Sequence, residues 1–222
     1  MIFSIAIDGP AGAGKSTIAK RIAKELGFIY VDTGAMYRAV ALYLMRNSIG
    51  ATESEKISQA CQNVNVTLEY VNGEQQVLLN DENVNAFIRT EEVGMMTSAS
   101  SKNKDVRLKM VELQRELAKK TSVVMDGRDI GTYVLKDANV KIYLTASSSE
   151  RARRRFAELS AKGISCDIDE IEKDIVARDH QDMTRDFAPL CQAKDAILVD
   201  SSDMSIDEVV STIIDLFKAK TK

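Results

Sequence analysis

Short apolar runs alternate along most of the chain with segments whose apolar residues recur every three to four positions. The first pattern is typical of buried strands and the second of amphipathic helices. Five runs have the strand pattern, at residues 2–7, 28–31, 122–125, 140–144 and 196–199. Helical periodicity covers residues 18–26, 35–46, 106–119, 147–159, 169–186 and 206–217. Because strands that alternate with helices pair in parallel, the pattern predicts an α/β fold: a five-stranded parallel sheet with helices on both faces.

One stretch breaks this alternation. Residues 64–71 alternate apolar and polar side chains, Asn72-Gly73 is a typical hairpin turn, and residues 76–79 resume the strand pattern. This predicts a small antiparallel sheet. Met95 and Met96, just beyond it, are expected to fill the hydrophobic core. We therefore divide the chain into a core, residues 1–62 and 90–222, and an antiparallel insertion, residues 63–89.

Between the first strand and the first helix lies the sequence GPAGAGKST, residues 9–17. It matches the phosphate-loop pattern G-x-x-x-x-G-K-[S/T], and the flanking strand and helix disfavour a chance match by a glycine-rich turn. In such a loop, backbone N–H groups and the helix N-terminus bind phosphate oxygens. The contacts to ATP phosphates are expected from Gly9, Gly12, Ala13, Gly14, Lys15, Ser16 and Thr17.

Two side chains of this loop carry further chemistry. Lys15 can reach the β- and γ-phosphates of ATP, and the Ser16 hydroxyl can bind Mg²⁺. The loop predicts a nucleotide-phosphate site but does not by itself separate a kinase from a switch, a motor or an ATPase.

Several arginines follow predicted strands, on the side where parallel α/β sheets bind their ligands. Arg151, Arg154 and Arg155 are spaced i, i+3 and i+4, which places them on one helical face. A solvated helix face is the alternative, but their position soon after a strand end favours function. Guanidinium groups suit phosphate, and phosphoryl transfer depends on positioning and charge neutralisation. Arg178 and Arg185 are seven positions apart on one face of a later helix, with Asp182 four positions after Arg178. The full set is Arg38, Arg128, Arg151, Arg154, Arg155, Arg178 and Arg185.

Composition narrows the class of partner. The net charge is −3, so neither nucleic acid nor an anionic membrane is an expected partner. The three cysteines are widely separated, which favours a reducing compartment over a disulfide framework. No signal peptide and no apolar run of about 20 residues is evident, so we expect a cytoplasmic protein. Without a long heptad or apolar stripe, we expect a monomer.

Three further segments resemble one family. DTGAMYR at residues 32–38, DGRDIGT at residues 126–132, and RDHQDMTR at residues 178–185 followed by APL are similar to bacterial cytidylate kinases. The resemblance runs from end to end and includes the antiparallel insertion. It is far more specific than the phosphate loop alone.

The resemblance implies reversible transfer of the ATP γ-phosphate to CMP or dCMP, giving CDP or dCDP, with Mg²⁺ as the cofactor. Lys15, Arg128, Arg151, Arg154 and Arg155 are then the expected catalytic residues, with a mobile lid at about residues 151–166 that closes over ATP. The expected acceptor contacts are Arg38, Arg128 and Arg185 to phosphate, Ser98, Arg107 and Asp129 to cytosine, Arg178 and Asp182 to the sugar, and Thr33 on the substrate side.

The base assignment agrees with hydrogen-bonding chemistry. Cytosine offers an N4 donor with N3 and O2 acceptors, which suits a carboxylate together with an arginine or hydroxyl. Uracil reverses two of these positions and would leave a buried group unpaired. Ser100 and Ser101 are alternatives to Ser98 at the base.

Two other functions stay open. A related phosphotransferase could use UMP or a small hydroxyl compound as acceptor. A non-catalytic nucleotide switch would leave the arginines around Arg178 and Arg185 unexplained. The choice between CMP and dCMP is also open.

Overall fold

The computed structural model describes residues 1–221 and contains a regular alternation of strands and helices. The helices in this range are α1 (Lys15–Leu26), α2 (Thr33–Arg46), α3 (Ser54–Asn63), α4 (Glu91–Ser100), α5 (Lys104–Lys120), α6 (Ser148–Ala161), α7 (Ile168–Thr184) and α8 (Ile206–Thr221), with a π-helical turn at Ile130–Val134. The strands are β1 (Ser4–Asp8), β2 (Ile29–Asp32), β3 (Val66–Val71), β4 (Glu74–Leu79), β5 (Glu82–Asn83), β6 (Val123–Gly127), β7 (Val140–Thr145) and β8 (Ile197–Asp200).

Five of the strands form one sheet in the order β2-β6-β1-β7-β8. β1 pairs in parallel with β6 and β7, so that Ile5 lies opposite Val124 on one side and Val140 on the other. β7 pairs in parallel with β8. The predicted parallel α/β sheet is therefore confirmed, with β1 at its centre and the phosphate loop leaving its carboxyl end.

β3, β4 and β5 form a separate three-stranded antiparallel sheet. Val71 pairs with Glu74, so Asn72 and Gly73 form the two-residue turn between β3 and β4. Both have positive φ, 54° and 81°, which is the backbone that makes Asn-Gly a favoured hairpin turn. The predicted small antiparallel sheet is confirmed.

The chain divides into two compact units. The first comprises Met1–Tyr30 and Thr121–Lys222, and the second comprises Val31–Lys120. The insertion expected at residues 63–89 falls inside the second unit, and its bounds remain a prediction.

The hydrophobic core of the first unit contains residues of the strand before the phosphate loop and of the helix after it. Ile5 and Ile7 of β1 and Ile18 and Ile22 of α1 are buried in one cluster, together with Ile213 of α8. Since the strand and the helix are both anchored in this cluster, the loop between them has fixed endpoints.

One core assignment was wrong. Met95 was expected in the core, but its side chain is 62% exposed. Helix α4 buries Val93, Thr97 and Ser100, and this i, i+4, i+7 spacing turns Met95 toward the other side of the helix. None of the helices described is long and apolar enough to cross a membrane.

Candidate active site

The phosphate loop has the backbone that its glycines permit. Gly9, Gly12 and Gly14 have φ values of 151°, 75° and 83°, which disfavour residues with a Cβ atom. Gly14 is the N-cap of α1 and has no side chain to cap it. The first backbone N–H groups of α1 are thus available to an anion.

Lys15 lies buried at the start of α1, where its Nζ donates a hydrogen bond to the Pro10 carbonyl at 2.7 Å. Burial, followed by repulsion from Arg128, lowers the pKa of Lys15 to about 7. A polyphosphate beside this ammonium would favour its charged form, so the site is suited to an anionic ligand.

Ser16 is paired with a carboxylate that the sequence reasoning did not single out. The Ser16 hydroxyl donates to Asp126 Oδ2 at 2.9 Å, and the Tyr30 hydroxyl donates to Asp126 Oδ1 at 2.9 Å. Asp126 lies in β6, where an apolar run ends at the ligand edge of the sheet. The position of Asp126 directly after an apolar strand is the sequence feature from which it could have been identified.

Four predicted acceptor residues of the first unit form one charged cluster. Arg128 Nε donates to Asp182 Oδ2 at 2.8 Å. Arg185 lies 3.7 Å from Asp182 and 3.5 Å from Asp129, measured between nitrogen and oxygen atoms. Burial of Asp182 opposes its ionisation, but Arg128, Arg185 and Arg178 together outweigh this effect and hold the pKa of Asp182 below its usual value. The carboxylates thus hold two guanidinium groups in place.

Arg178 lies one helical turn before Asp182 on α7. Burial, followed by repulsion from Arg128, lowers the pKa of Arg178. Two neighbouring cations that disfavour each other indicate a place where an anion would be stabilised.

The three arginines predicted for the lid have different surroundings. Arg151 is buried and bonds to the phosphate loop and to Asp179. Arg154 donates to Glu150 and to the Ser201 carbonyl, while the half-exposed Arg155 pairs with Glu158. Of the three, the described conformation brings Arg151 alone into hydrogen-bonding contact with the loop.

Asp8, also missed in the sequence, organises the loop after β6. Its carboxylate accepts hydrogen bonds from the Ile130 N–H at 2.8 Å and the Gly131 N–H at 2.7 Å. Burial raises the pKa of Asp8 to about 6, against the lowering effect of these two bonds. A Cβ on Gly131 would lie 3.2 Å from the Lys141 side chain and 3.4 Å from Asp8, so glycine allows this close approach.

The second unit carries the remaining predicted acceptor residues. Thr33 is buried at the start of α2, and Arg38 of the same helix donates to the Ile88 carbonyl at 2.9 Å. Arg107 of α5 is 2% exposed, bonds to the Ser101 carbonyl and lies over the Tyr37 ring at 5.3 Å.

The three candidate serines differ in their surroundings. Ser100 is buried, and the Ser101 hydroxyl donates to the Ser98 carbonyl at 3.3 Å. Ser98 is half-buried on α4.

The fold and the loop define a class. A parallel α/β sheet with a glycine loop between β1 and α1, and a carboxylate paired with the loop serine, is typical of P-loop nucleotide-binding proteins. Solved structures with this fold include two shikimate kinases. The one from Bacteroides thetaiotaomicron has a TM-score of 0.51 at 15% identity and covers 98% of this chain and 99% of its own. The one from Acinetobacter baumannii has a TM-score of 0.50 at 13% identity and covers 100% and 96%.

Sequence comparison narrows the class to a family. The family model for cytidylate kinase matches residues 5–219. A cytidylate kinase of Caldicellulosiruptor saccharolyticus is 51% identical over 214 residues, 96% of this chain and 95% of that protein. One from Shouchella clausii is 48% identical over 220 residues, 99% and 98% of the two chains. The chain belongs to the cytidylate kinase family, which confirms the family predicted from its motifs.

Proposed function

We propose that this protein transfers the γ-phosphate of ATP to CMP or dCMP, giving ADP and CDP or dCDP. The observation that carries the proposal is the match to the cytidylate kinase family over residues 5–219. The buried cluster of Arg128, Asp182, Arg185 and Asp129 supports it, because a phosphorylated acceptor needs such guanidinium groups.

On the ATP side, the phosphate loop binds the nucleotide through its backbone N–H groups. The residues assigned to this role are Gly9, Gly12, Ala13, Gly14, Lys15, Ser16 and Thr17. Lys15 neutralises the β- and γ-phosphates, and its buried position makes this interaction stronger than it would be in water.

The residues present fit Mg²⁺. Ser16 and Asp126 supply a hydroxyl and a carboxylate 2.9 Å apart, and Mg²⁺ prefers oxygen ligands. When bound, the ion neutralises charge on the phosphates. Tyr30 holds the second oxygen of Asp126, which orients the carboxylate toward Ser16.

The acceptor contacts are assigned within each unit. In the first, Arg128 and Arg185 bind the acceptor phosphate, Asp129 accepts from the cytosine amino group, and Arg178 and Asp182 bind the sugar. In the second, the assigned residues are Thr33 and Arg38 on the phosphate side, with Ser98 and Arg107 at the base.

The reaction needs no general base on the protein. The attacking atom is an oxygen of an already ionised phosphate, so no hydroxyl has to lose a proton. Lys15 and Arg128 hold and neutralise the reacting groups, which is the main requirement of phosphoryl transfer. Arg154 and Arg155 contact the transferring phosphate when residues 151–166 close over ATP. Arg151 is hydrogen-bonded to the Ala11 carbonyl and to Asp179 in this structure, so it must exchange these partners before it can contact the phosphate.

The protein is proposed to act as a cytoplasmic monomer in pyrimidine nucleotide metabolism. Its three cysteines, Cys61, Cys166 and Cys191, are odd in number and widely separated in the sequence, which favours a reducing compartment.

The test is ADP formation from ATP and Mg²⁺ with CMP, dCMP, UMP or AMP as acceptor. We expect kcat/KM for CMP to exceed that for UMP by about 10- to 100-fold, because a mismatched base leaves a buried polar group unpaired. Asp129→Asn keeps the size of the side chain and should reduce this ratio. Asp137→Asn, on the exposed turn after the π-helical turn, is the matched control and should leave the ratio unchanged.

Each result has a defined meaning. Equal use of UMP and CMP by the unaltered protein would retain phosphoryl transfer and refute the cytosine assignment. Absence of acceptor-dependent ADP would refute the kinase proposal in favour of a nucleotide switch.

A further inference from the structure

Both polar backbone groups of Ala11, in the phosphate loop, bind to a buried ion pair. The Ala11 N–H donates to Asp179 Oδ1 at 3.0 Å, and Arg151 Nη1 donates to the Ala11 carbonyl at 2.8 Å. The same Nη1 donates to Asp179 Oδ2 at 2.6 Å, which closes the ring of contacts. We call Ala11, Arg151 and Asp179 together the loop clasp.

The side chains of the loop clasp are buried within the first unit. Arg151 is 6% exposed and Asp179 is 7% exposed. Arg151 Nε also donates to the Ala146 carbonyl, at 2.9 Å, at the end of the segment that enters α6. The guanidinium is therefore fixed from two directions, and three of its contacts are charge-assisted or aimed at backbone carbonyls.

The loop needs such an external constraint. Glycine allows many backbone conformations, and Gly9, Gly12 and Gly14 surround Ala11 on both sides. A free loop of this composition would sample states whose N–H groups do not converge on a phosphate. Because the N–H and the carbonyl of Ala11 are both hydrogen-bonded, rotation about its backbone dihedral angles is restricted. The remaining N–H groups of the loop are therefore oriented before the nucleotide binds.

We propose that Asp179 is a positioning residue which, through Arg151 and the Ala11 backbone, holds the phosphate loop in its ATP-binding conformation. The proposal rests on the proposed function for the identity of the ligand. It gives Arg151 a role on the loop in the unliganded protein, separate from any contact with the transferring phosphoryl group. Helix α7 thus carries both Asp179, which contacts the phosphate loop, and Arg178 and Asp182, which are assigned to the acceptor sugar and lie within one turn of Asp179.

The experiment compares Asp179→Asn with Asp174→Asn, an exposed position on the same helix. Asparagine can still accept from the Ala11 N–H, but it removes the charge that holds Arg151. If only a fraction of the protein then has a competent loop, the apparent affinity for ATP falls by that fraction. We expect the Kd for ATP, measured at equilibrium without acceptor, to rise roughly tenfold or more. The KM for CMP should rise by less than the Kd for ATP, because Asp179 acts on the acceptor residues Arg178 and Arg128 through electrostatic attraction only, whereas it is hydrogen-bonded to the loop. Asp174→Asn should match the unaltered protein.

Two further measurements separate positioning from general structure. Arg151→Lys keeps a positive charge but cannot reach all three oxygens, and it should raise the Kd for ATP as Asp179→Asn does. The double variant should bind ATP no more weakly than either single variant, because both changes open the same clasp. Hydrogen exchange of the segment 9–16 in the unliganded protein should be faster in both variants.

The proposal is overturned if Asp179→Asn leaves the Kd for ATP or the hydrogen exchange of the loop unchanged. It is also overturned if the Kd for ATP and the KM for CMP rise by the same factor while the stability of the whole protein falls. Since ATP binding and exchange need no acceptor, these results test the loop clasp even if the protein fails to phosphorylate CMP. Failure of the proposed function would instead appear as the absence of CMP-dependent ADP from a protein that binds ATP.

Discussion

Replacing Gly9 with alanine tests whether the start of the phosphate loop is as tightly constrained as its geometry indicates. Gly9 has φ of 151°, and a Cβ there would lie 1.9 Å from the Leu144 carbonyl oxygen and 3.0 Å from its carbonyl carbon. Leu144 is fully buried in β7, the strand that pairs with β1. The obstacle is backbone within a paired strand, so no side chain can move aside to relieve it.

Two separate costs determine the magnitude. Holding a residue with a Cβ in an unfavourable backbone region costs about 1–3 kcal/mol. Displacing a packed strand to relieve the contact costs about 1–3 kcal/mol more, as in overpacked cores. We therefore expect Gly9→Ala to lower the free energy of unfolding by about 2–6 kcal/mol. A loop shift of about 1 Å should also lower kcat/KM for ATP by about 100-fold.

Gly27→Ala is the matched control on the same strand-loop-helix segment. Gly27 caps α1 with φ of 69°, but a Cβ there has nothing within 4 Å. It should cost about 1 kcal/mol, from the backbone conformation alone, and leave ATP use unchanged. Urea unfolding and initial rates with varied ATP measure both effects. If Gly9→Ala loses no more stability than Gly27→Ala and keeps its kcat/KM for ATP, the steric reasoning is refuted.

Three further predictions follow from charges. Burial, and then Arg128, lowers the pKa of Lys15 to about 7, so ATP binding at pH 8, which favours the charged ammonium, should be accompanied by proton uptake. Calorimetry in two buffers of different ionisation enthalpy measures this, and binding without proton uptake would contradict it. Burial raises the pKa of Asp8 to about 6, above its unfolded value of 3.8, so its contribution to stability is fully present below about pH 4 and is lost as pH rises through 6. Unfolding measured between pH 4 and pH 7 should show this slope in the unaltered protein, and the same slope in Asp8→Asn would count against it. Arg46 and Glu82 form an exposed pair that solvent screens, so Glu82→Gln should leave the urea unfolding midpoint close to that of the unaltered protein, and a clear fall in the midpoint would contradict this.

Local patterns carried much of the fold. The predicted helix at residues 106–119 corresponds to Lys104–Lys120, and that at residues 169–186 to Ile168–Thr184. The Asn72-Gly73 hairpin was equally readable. Periodicity and turn chemistry depend on neighbours a few positions apart, so one chain contains this information explicitly.

Local patterns did not predict the surroundings of several side chains, because tertiary packing determines those surroundings. Met95 is hydrophobic, yet α4 turns another face to the core. Arg151, Arg154 and Arg155 share the spacing of one helical face, yet each has different partners, because neighbouring elements lie against different parts of that face.

The sequence alone determined the α/β class, the phosphate loop and, through its motifs, the family. The tertiary structure decided which carboxylates bind the phosphate loop and the turn after β6: Asp126 pairs with Ser16, Asp179 accepts from Ala11, and Asp8 accepts from the turn at Ile130. These pairs are separated by 110, 168 and 122 residues. At such distances no periodicity relates the partners, and an aspartate after a strand or on a helix looks the same whether it is solvated or buried. Asp126, Asp8 and Asp179 acquire their partners only when β1 pairs with β6 and β7 and when α7 packs against the phosphate loop.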